Sequence, residues 1–549
     1  MTTETVASTD AAAQQDQGMR RDIGRVGLLF TGMGSIIGSG WLFGALYASQ
    51  MAGPASILSW AIGGLMILLI GLVYAELGAM FPLAGGVVRF PHYSFGSLVS
   101  YTMGWITWIA AVTIAPIEVE GALQYATNYI PFLTTKSAGT TVLTPAGYGI
   151  AVALMLVFSL VNIMGVRAFA KANAAIVWWK LAIIVLVIAA LLLTAFHPAQ
   201  FTSFGGFAPY GSHGIFEAIA GGGIVFSFLG FRQGVELAGE SKNPQRNVPF
   251  AVIGSVIFAI LLYIGLEIAF LASAPSQGLA HGWAGLSFKN DFGPLAGIAG
   301  LLGLGWLGVL LYVDAFISPA DTGLIYTAVT SRISYAMGKN QNAPKGLTKL
   351  TAGGVPWVSV LVTFVCGLIV FLPFPGWQKL VSFITSATVL SFGSGALVVG
   401  AMRRQLPSQH RPFRLPGGDI IPFLAFFAGN MIIYWSGWDT NWKLFVAIGL
   451  GLVLLAIGQV VKKSDNAPPL EWRAASWLVP WLAGLIAISA LGAYGGGAHV
   501  ISFGMSWVLN FVLSLVVYAM AIAVRLHPER VQQTMNQSAQ QPPQAQQAS

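Results

Sequence analysis

The chain has 549 residues, 56% of them hydrophobic and only 8% charged, with a formal net charge of +8 at pH 7. A water-soluble chain carries about a quarter charged residues, so this composition excludes the soluble classes and points to a polytopic helical membrane protein. The single cysteine, Cys366, excludes an intramolecular disulfide and any multi-cysteine metal site.

Residues 1–21 are rich in Thr, Ala and Gln and lack apolar periodicity, which predicts a disordered tail that enters the first span without a signal-peptide cleavage site. Fourteen apolar segments follow, near 25–50, 54–81, 97–130, 143–164, 172–196, 213–238, 248–273, 294–330, 355–373, 378–402, 419–437, 442–461, 474–494 and 500–525. Only Y-G-G-G-A-H at Tyr494–His499 separates the last two, so twelve spans with a terminal re-entrant hairpin is the alternative count. The Gln-rich stretch 528–549 predicts a second disordered tail. This divides the chain into the tail 1–21, a core of ten spans at 22–402, peripheral spans at 403–527 and the tail 528–549.

Twenty-one of the 27 Lys and Arg residues fall on the face of the N-terminus, four (Lys136, Lys289, Lys379 and Lys443) on the opposite face, and Lys180 and Arg232 inside spans. This asymmetry predicts an even span count with both termini cytoplasmic. It accounts for the positive charge without nucleic acid.

The first span contains T-G-M-G-S-I-I-G-S-G-W-L-F at Thr31–Phe43, with four glycines and two serines. Each Gly costs roughly 1 kcal/mol in a helix interior, and an unpaired backbone group in hydrocarbon costs several more. A break survives there only where it faces water, ligand or protein. Its free N–H groups attract anions and its free carbonyls attract cations, a geometry that suits a zwitterion. The competing account is close helix packing through the G-x-x-x-G pair Gly34 and Gly38. The sixth span carries Gly221, Gly222 and Gly223, then F-S-F-L-G-F-R with Arg232 in mid-run. If spans 1–5 and 6–10 are related halves, both breaks fall in the first helix of a half, the pointer to a midplane site in inverted-repeat transporters.

Other charges also stand inside apolar runs. Lys180 in W-W-K-L should be paired, deprotonated or functional. Glu118 and Glu120 lie about 200° apart around a helix and cannot share one pocket. Asp314 and Asp321, seven apart, share a face, with Pro319 between them as a possible kink. Glu76 and Glu267 are further intramembrane acids. No H-E-x-x-H, G-x-S-x-G or Walker loop is present, which argues against an enzyme.

G-S-I-I-G-S-G at Gly34–Gly40, F-P-L-A-G-G at Phe81–Gly86, G-W-x-x-W at Gly104–Trp108, F-S-F-L-G-F at Phe226–Phe231, E-S-K-N-P-Q-R-N-V-P at Glu240–Pro249 and S-R-x-x-Y-A-M at Ser331–Met337 occur in order. In this the chain resembles an amino acid permease of the amino acid-polyamine-organocation superfamily. The motifs are specific for the superfamily and weak on substrate. The resemblance implies an all-α fold with a broken-helix 5+5 inverted-repeat (LeuT-like) core. It also implies that the N–H groups of Ser39 and Gly40 hold the substrate carboxylate, with Ser35, Ile36 and Gly38 lining the same pocket. Carbonyls of Ile36, Phe226 and Leu229 are expected to hold the amine. Ser227 and Gly230 complete the second break, and Phe226 closes over the substrate.

In sodium-independent relatives a lysine like Lys180 replaces a structural sodium beside the first break, which makes Lys180 the first candidate for proton coupling, with Asp314 and Asp321 as partners or proton carriers. Glu118 matches a family carboxylate at the pocket. Arg89 and Arg246 are assigned to a cytoplasmic gate. Arg232 departs from the glutamate many relatives carry; it suits a substrate side-chain carboxylate, as in the aspartate–proton symporter type, or pairs internally with Glu118 or Glu236. The expected activity is proton-driven import of amino acids, acidic ones slightly preferred, across the cell membrane. The substrates are the amino acid and protons, with no cofactor or metal. Exchange of neutral amino acids, and transport of potassium or another small cation, are the alternatives.

Overall fold

A computed structural model describes residues 21–82, 86–137, 140–164, 167–339, 343–351, 353–374, 376–462 and 469–540. The first expected span is two helices, α1 (Arg25–Ile36) and α2 (Gly40–Ala52), and α3 (Ser56–Met80) returns beside them. A buried helix, α4 (Gly86–Phe95), leads to α5 (Ser97–Val112) and α6 (Ile114–Ala126). The α5–α6 interruption falls at Thr113, where Pro116 has no N–H to give the preceding turn. An antiparallel hairpin of β1 (Thr134–Ser137) and β2 (Thr140–Leu143) precedes α7 (Pro145–Met164) and α8 (Arg167–Thr194).

The second half opens with α9 (Gly211–Gly221), a 3-10 stretch at Phe226–Arg232 and the single turn α10 (Gln233–Glu236), bent by 46° at the break. Then follow α11 (Pro244–Ser273), α12 (Pro294–Leu301), α13 (Gly305–Lys339), α14 (Trp357–Val370) and α15 (Trp377–Gln405). The remainder is α16 (Ile420–Trp435), α17 (Trp438–Lys462), α18 (Trp472–Ala475), α19 (Leu478–Leu491), α20 (Phe503–Val524) and α21 (Pro528–Gln540).

Each of the fourteen expected segments holds helix. Among the described residues ten helices are long and apolar enough to cross a membrane, with the run Gly40–Met80 counted once, and eleven when the bent pair at the sixth span is included. The helices α14 and α16 are shorter, at 14 and 16 residues. Two details differ from expectation. The segment 294–330 splits into α12 and α13 because Gly303 takes a positive φ of 75°, whereas α13 runs through Pro319 as one helix. Residues 528–540, expected without structure, form α21, whose Val531 is fully buried. The expected tail before residue 21 and the stretch 541–549 lie outside the described residues.

Burial grades from the centre outward. The apolar window of α15 is wholly buried, whereas only 17% of that of α17 is. Leu193, Val460 and Val479 are more than 70% exposed, which is natural for lipid-facing side chains and would be a liability in water. The outer helices are stapled by buried amides: Trp481 Nε1 donates to Asn430 Oδ1, Asn430 Nδ2 donates to Ser514, and Asn441 joins Ser386 of α15 to Ser489.

The two faces of the bundle are distinct. One carries the β-hairpin, where Lys136 pairs with Asp291 at 2.8 Å. The other carries the two ends of the described chain, where Ile23 forms a parallel bridge to Ser241 and Leu526 N–H donates to Ser94 O. We call these the hairpin face and the terminal face.

Candidate functional site

The first helix stops because Ile37 (φ −92°, ψ 88°) leaves the helical region, and α2 restarts three residues later. In hydrocarbon every backbone group freed by such a break needs a partner. Lys180, fully buried on α8, supplies two of them: its ammonium donates to Ile37 O at 2.8 Å and to Gly34 O at 3.3 Å. Its third proton goes to Asp321 Oδ2 at 2.6 Å. Three donors thus meet three acceptors, and the charge is paired. Tyr263 of α11 donates its hydroxyl to Ile36 O at 3.2 Å, so this carbonyl, expected to hold a substrate amine, already has a donor.

On the α2 side of the break, Ser39 N–H donates to Glu118 Oε2 at 2.7 Å. A protein carboxylate therefore sits on the backbone group expected to hold a substrate carboxylate. Gly38 makes this possible, since a Cβ there would lie 2.6 Å from Glu118 Oε1. Glu120 points elsewhere, and neither of its oxygens has a hydrogen-bond partner among the described residues.

The second break packs directly on the first. A Cβ on Gly230 would overlap the Ser35 carbonyl and the Ile36 nitrogen, so only glycine allows the two backbones to touch. Gly40 lies against the Ser227 side chain, whose Oγ a Cβ there would overlap and which donates to Gly223 O at 2.9 Å.

A pocket opens between the breaks. Ser35, Ile36 and Gly38 line it from the first, Phe226, Leu229 and Gly230 from the second. Ile114 and Glu118 of α6 with Thr322 and Tyr326 of α13 close its sides. Ser35 Oγ, Thr322 Oγ1 and Glu118 Oε1 are buried there without hydrogen-bond partners among the described residues. Apolar walls with a few convergent polar atoms are what a small zwitterion requires.

Other expected residues lie just outside this lining. Ser39, Gly40 and Ser227 stand behind it, Ser39 held by Glu118 and Trp377 and Gly40 packed on the Ser227 side chain. Arg232 is buried, with Nε 2.9 Å from Glu236 Oε1 and its guanidinium carbon 5.5 Å from the centre of the Tyr326 ring. Its partner is Glu236 rather than Glu118, and no hydrogen-bond acceptor among the described residues meets its two terminal nitrogens. Asp314 and Asp321 share a face of α13 but separate in role. Asp314 accepts from Trp179 Nε1 and Ser318 Oγ, each at 2.9 Å, while Asp321 takes Lys180. Arg89 is half-buried on α4, and Arg246 stands exposed in the first turn of α11.

Several site residues escaped sequence reasoning. Tyr263, Thr322 and Tyr326 carry no charge to stand out from an apolar helix. Trp377, which donates Nε1–H to Ser39 Oγ at 2.8 Å, begins a helix remote in sequence from both breaks. On the terminal face, buried Glu76 accepts from Arg403 at 2.6 Å, from Leu415 N–H at 2.8 Å and weakly from Arg411, tying α3 to α15. A lone acid facing an Arg-rich segment is the signal that could have found this network.

Comparison with known proteins agrees with this architecture. Residues 27–464 match the Amino acid permease family. The chain is 39% identical to the glutamate/serine transporter AimA of Bacillus subtilis, over 92% of this chain and 94% of that protein. It is 37% identical to the aspartate-proton symporter of the same organism, over 89% and 94% respectively. Identity to the branched-chain amino acid permease BcaP of Bacillus subtilis is 24%, over 81% and 94%. The chain belongs to the amino acid permease family and is a multi-pass membrane transporter, not an enzyme.

Proposed function

We propose that the protein imports amino acids together with protons across the cell membrane, acidic amino acids in preference, with both termini in the cytoplasm and the hairpin face outside. The observation that carries the coupling is the Glu118–Ser39 contact. A substrate carboxylate seeking the same N–H must displace Glu118, and two carboxylates side by side repel. An ionised Glu118 released into these surroundings would be a buried charge without a partner, which is costly. Glu118 therefore takes a proton as it yields Ser39, and substrate and proton load together. The Lys180–Asp321 pair braces the break beside this exchange through the Ile37 carbonyl.

The acidic preference rests on Arg232. Its terminal nitrogens are buried beside Tyr326, a wall of the pocket, and a guanidinium fork suits a second carboxylate. Two relatives named for glutamate/serine and aspartate transport support the same preference. The ion pair between Arg232 and Glu236 favours a second reading, in which the arginine is internal and the substrates are neutral. A bare cation is disfavoured, because Lys180 already occupies the carbonyls of Gly34 and Ile37.

Counterflow in liposomes with labelled aspartate and labelled leucine, with and without an inward proton gradient, tests this. Aspartate exchange that becomes accumulation under the gradient is the expected result. Leucine exchange with aspartate ignored would favour the second reading, and no amino acid exchange would overturn both.

A further inference from the structure

The hairpin side of the pocket is capped by aromatic rings, and one of them touches both breaks. Trp377 is the first residue of α15 and is fully buried. Its ring stacks on Tyr47 of α2 (5.5 Å, 15°), lies 5.0 Å from Phe43 and meets Phe226 edge-on at 6.0 Å. Its far edge lies under the turn of the second break: a Cβ on Gly223, where φ is +85°, would come within 2.8 Å of Trp377 Cη2. Its indole N–H holds Ser39 Oγ.

Ser39 is the N-cap of α2, with its carbonyl accepting from Leu42 N–H at 3.1 Å, and its side chain makes no capping bond to the helix. Trp377 grips its side chain while Glu118 takes its backbone N–H, so the two together set how that N–H faces the pocket. The residue before it, Gly376, lies against the hairpin, where a Cβ would overlap the Thr141 carbonyl. The hairpin, the start of α15, Ser39 and the second break thus form one continuous contact.

We propose that Trp377 is a positioning residue for substrate binding and the plug of the hairpin-side entrance. Its indole N–H fixes Ser39 in binding geometry, and its ring bars the pocket until the start of α15 moves away from α2 and the second break. The proposal rests on the pocket between the breaks being the substrate site.

The test uses the full chain in liposomes. Trp377→Phe keeps the ring packing and removes the hydrogen bond. The half-saturating substrate concentration for exchange should rise about fivefold, the size of one neutral hydrogen bond, with the maximal rate little changed. Ser39→Ala should raise it similarly, and the double variant should be no worse than either single one, as expected for partners in one contact. For the plug, Cys366→Ser removes the single native cysteine, and Ser35→Cys places a thiol in the pocket. Labelling of that thiol by a membrane-impermeant reagent applied from the hairpin face should speed up about tenfold with Trp377→Ala, as the open population grows. Should the alanine variant fail to fold, Trp377→Leu, which removes the ring but keeps an apolar side chain, takes its place in the labelling test. Unchanged half-saturation in Trp377→Phe, or additive effects in the double variant, would overturn the positioning role, and unchanged labelling would overturn the plug. Failure of the unaltered protein to exchange any amino acid would instead count against the proposed function.

Discussion

Glu118 Oε2 lies 2.7 Å from the backbone nitrogen of Ser39, so the start of α2 is capped by a carboxylate from another span. A helix N-terminus is a ready anion site, and here the protein fills it itself. In the proposed mechanism a substrate carboxylate arriving at the same N–H competes with this internal carboxylate, and a proton resolves the competition.

Replacing Glu118 separates these events. Glu118→Gln keeps an oxygen that can accept from Ser39 N–H but takes up no proton. If substrate binding consumes a proton as proposed, affinity in the unaltered protein should weaken as pH rises, by up to about tenfold per pH unit for a single coupled proton. In Glu118→Gln, binding measured across the same pH range should be flat, with exchange retained and gradient-driven accumulation lost.

Removing Lys180 exposes a different dependence. Lys180→Ala strands Asp321 as a buried acid without its cation, a cost of about 3–5 kcal/mol, and frees two carbonyls of the first break. Thermal unfolding in detergent should shift down, and accumulation under a pH gradient should disappear. Pairing Lys180→Met with Asp321→Asn should recover much of the thermal stability without recovering accumulation. Accumulation undiminished in Lys180→Ala would remove the lysine from coupling.

Arg232 bears on selectivity. Charge-assisted hydrogen bonds contribute about 1.5–3 kcal/mol, so Arg232→Gln should weaken aspartate uptake about 10- to 100-fold while leaving neutral substrates within about threefold. Competition assays measure both. Equal loss for both classes would make the arginine structural through Glu236 alone.

Gly230→Ala should abolish binding of every substrate. Its added methyl has no room against Ser35 and Ile36, so the two breaks must separate and the pocket between them changes shape. Membrane insertion should persist, because the apolar spans are untouched. Substrate protection against thermal unfolding, present in the unaltered protein and absent in the variant, checks this.

What could be read in the chain was whatever violates the rules of hydrocarbon. Glycines at 34, 38 and 40, the triple glycine at 221–223 and the lone charges Lys180, Glu118 and Arg232 are all costly in an apolar run, and all fall at or beside the breaks. Their partners were not legible. Asp314 and Asp321 share one helical face, and only packing decides that Trp179 takes the first and Lys180 the second. Arg232 had two possible acids, and Glu236 one turn away is the one it meets. The α5–α6 interruption passed unread because a single proline, Pro116, is commonplace in membrane helices. Trp377 is one of 17 tryptophans, and nothing local in the sequence distinguishes it.

The central claim is that proton uptake accompanies substrate loading at Glu118. The most direct measurement is isothermal calorimetry of aspartate binding to the purified protein in two buffers of different ionisation enthalpy. The account predicts a buffer-dependent heat corresponding to about one proton taken up per aspartate bound, and no such dependence in Glu118→Gln. A heat independent of buffer in the unaltered protein, with aspartate bound, would contradict it.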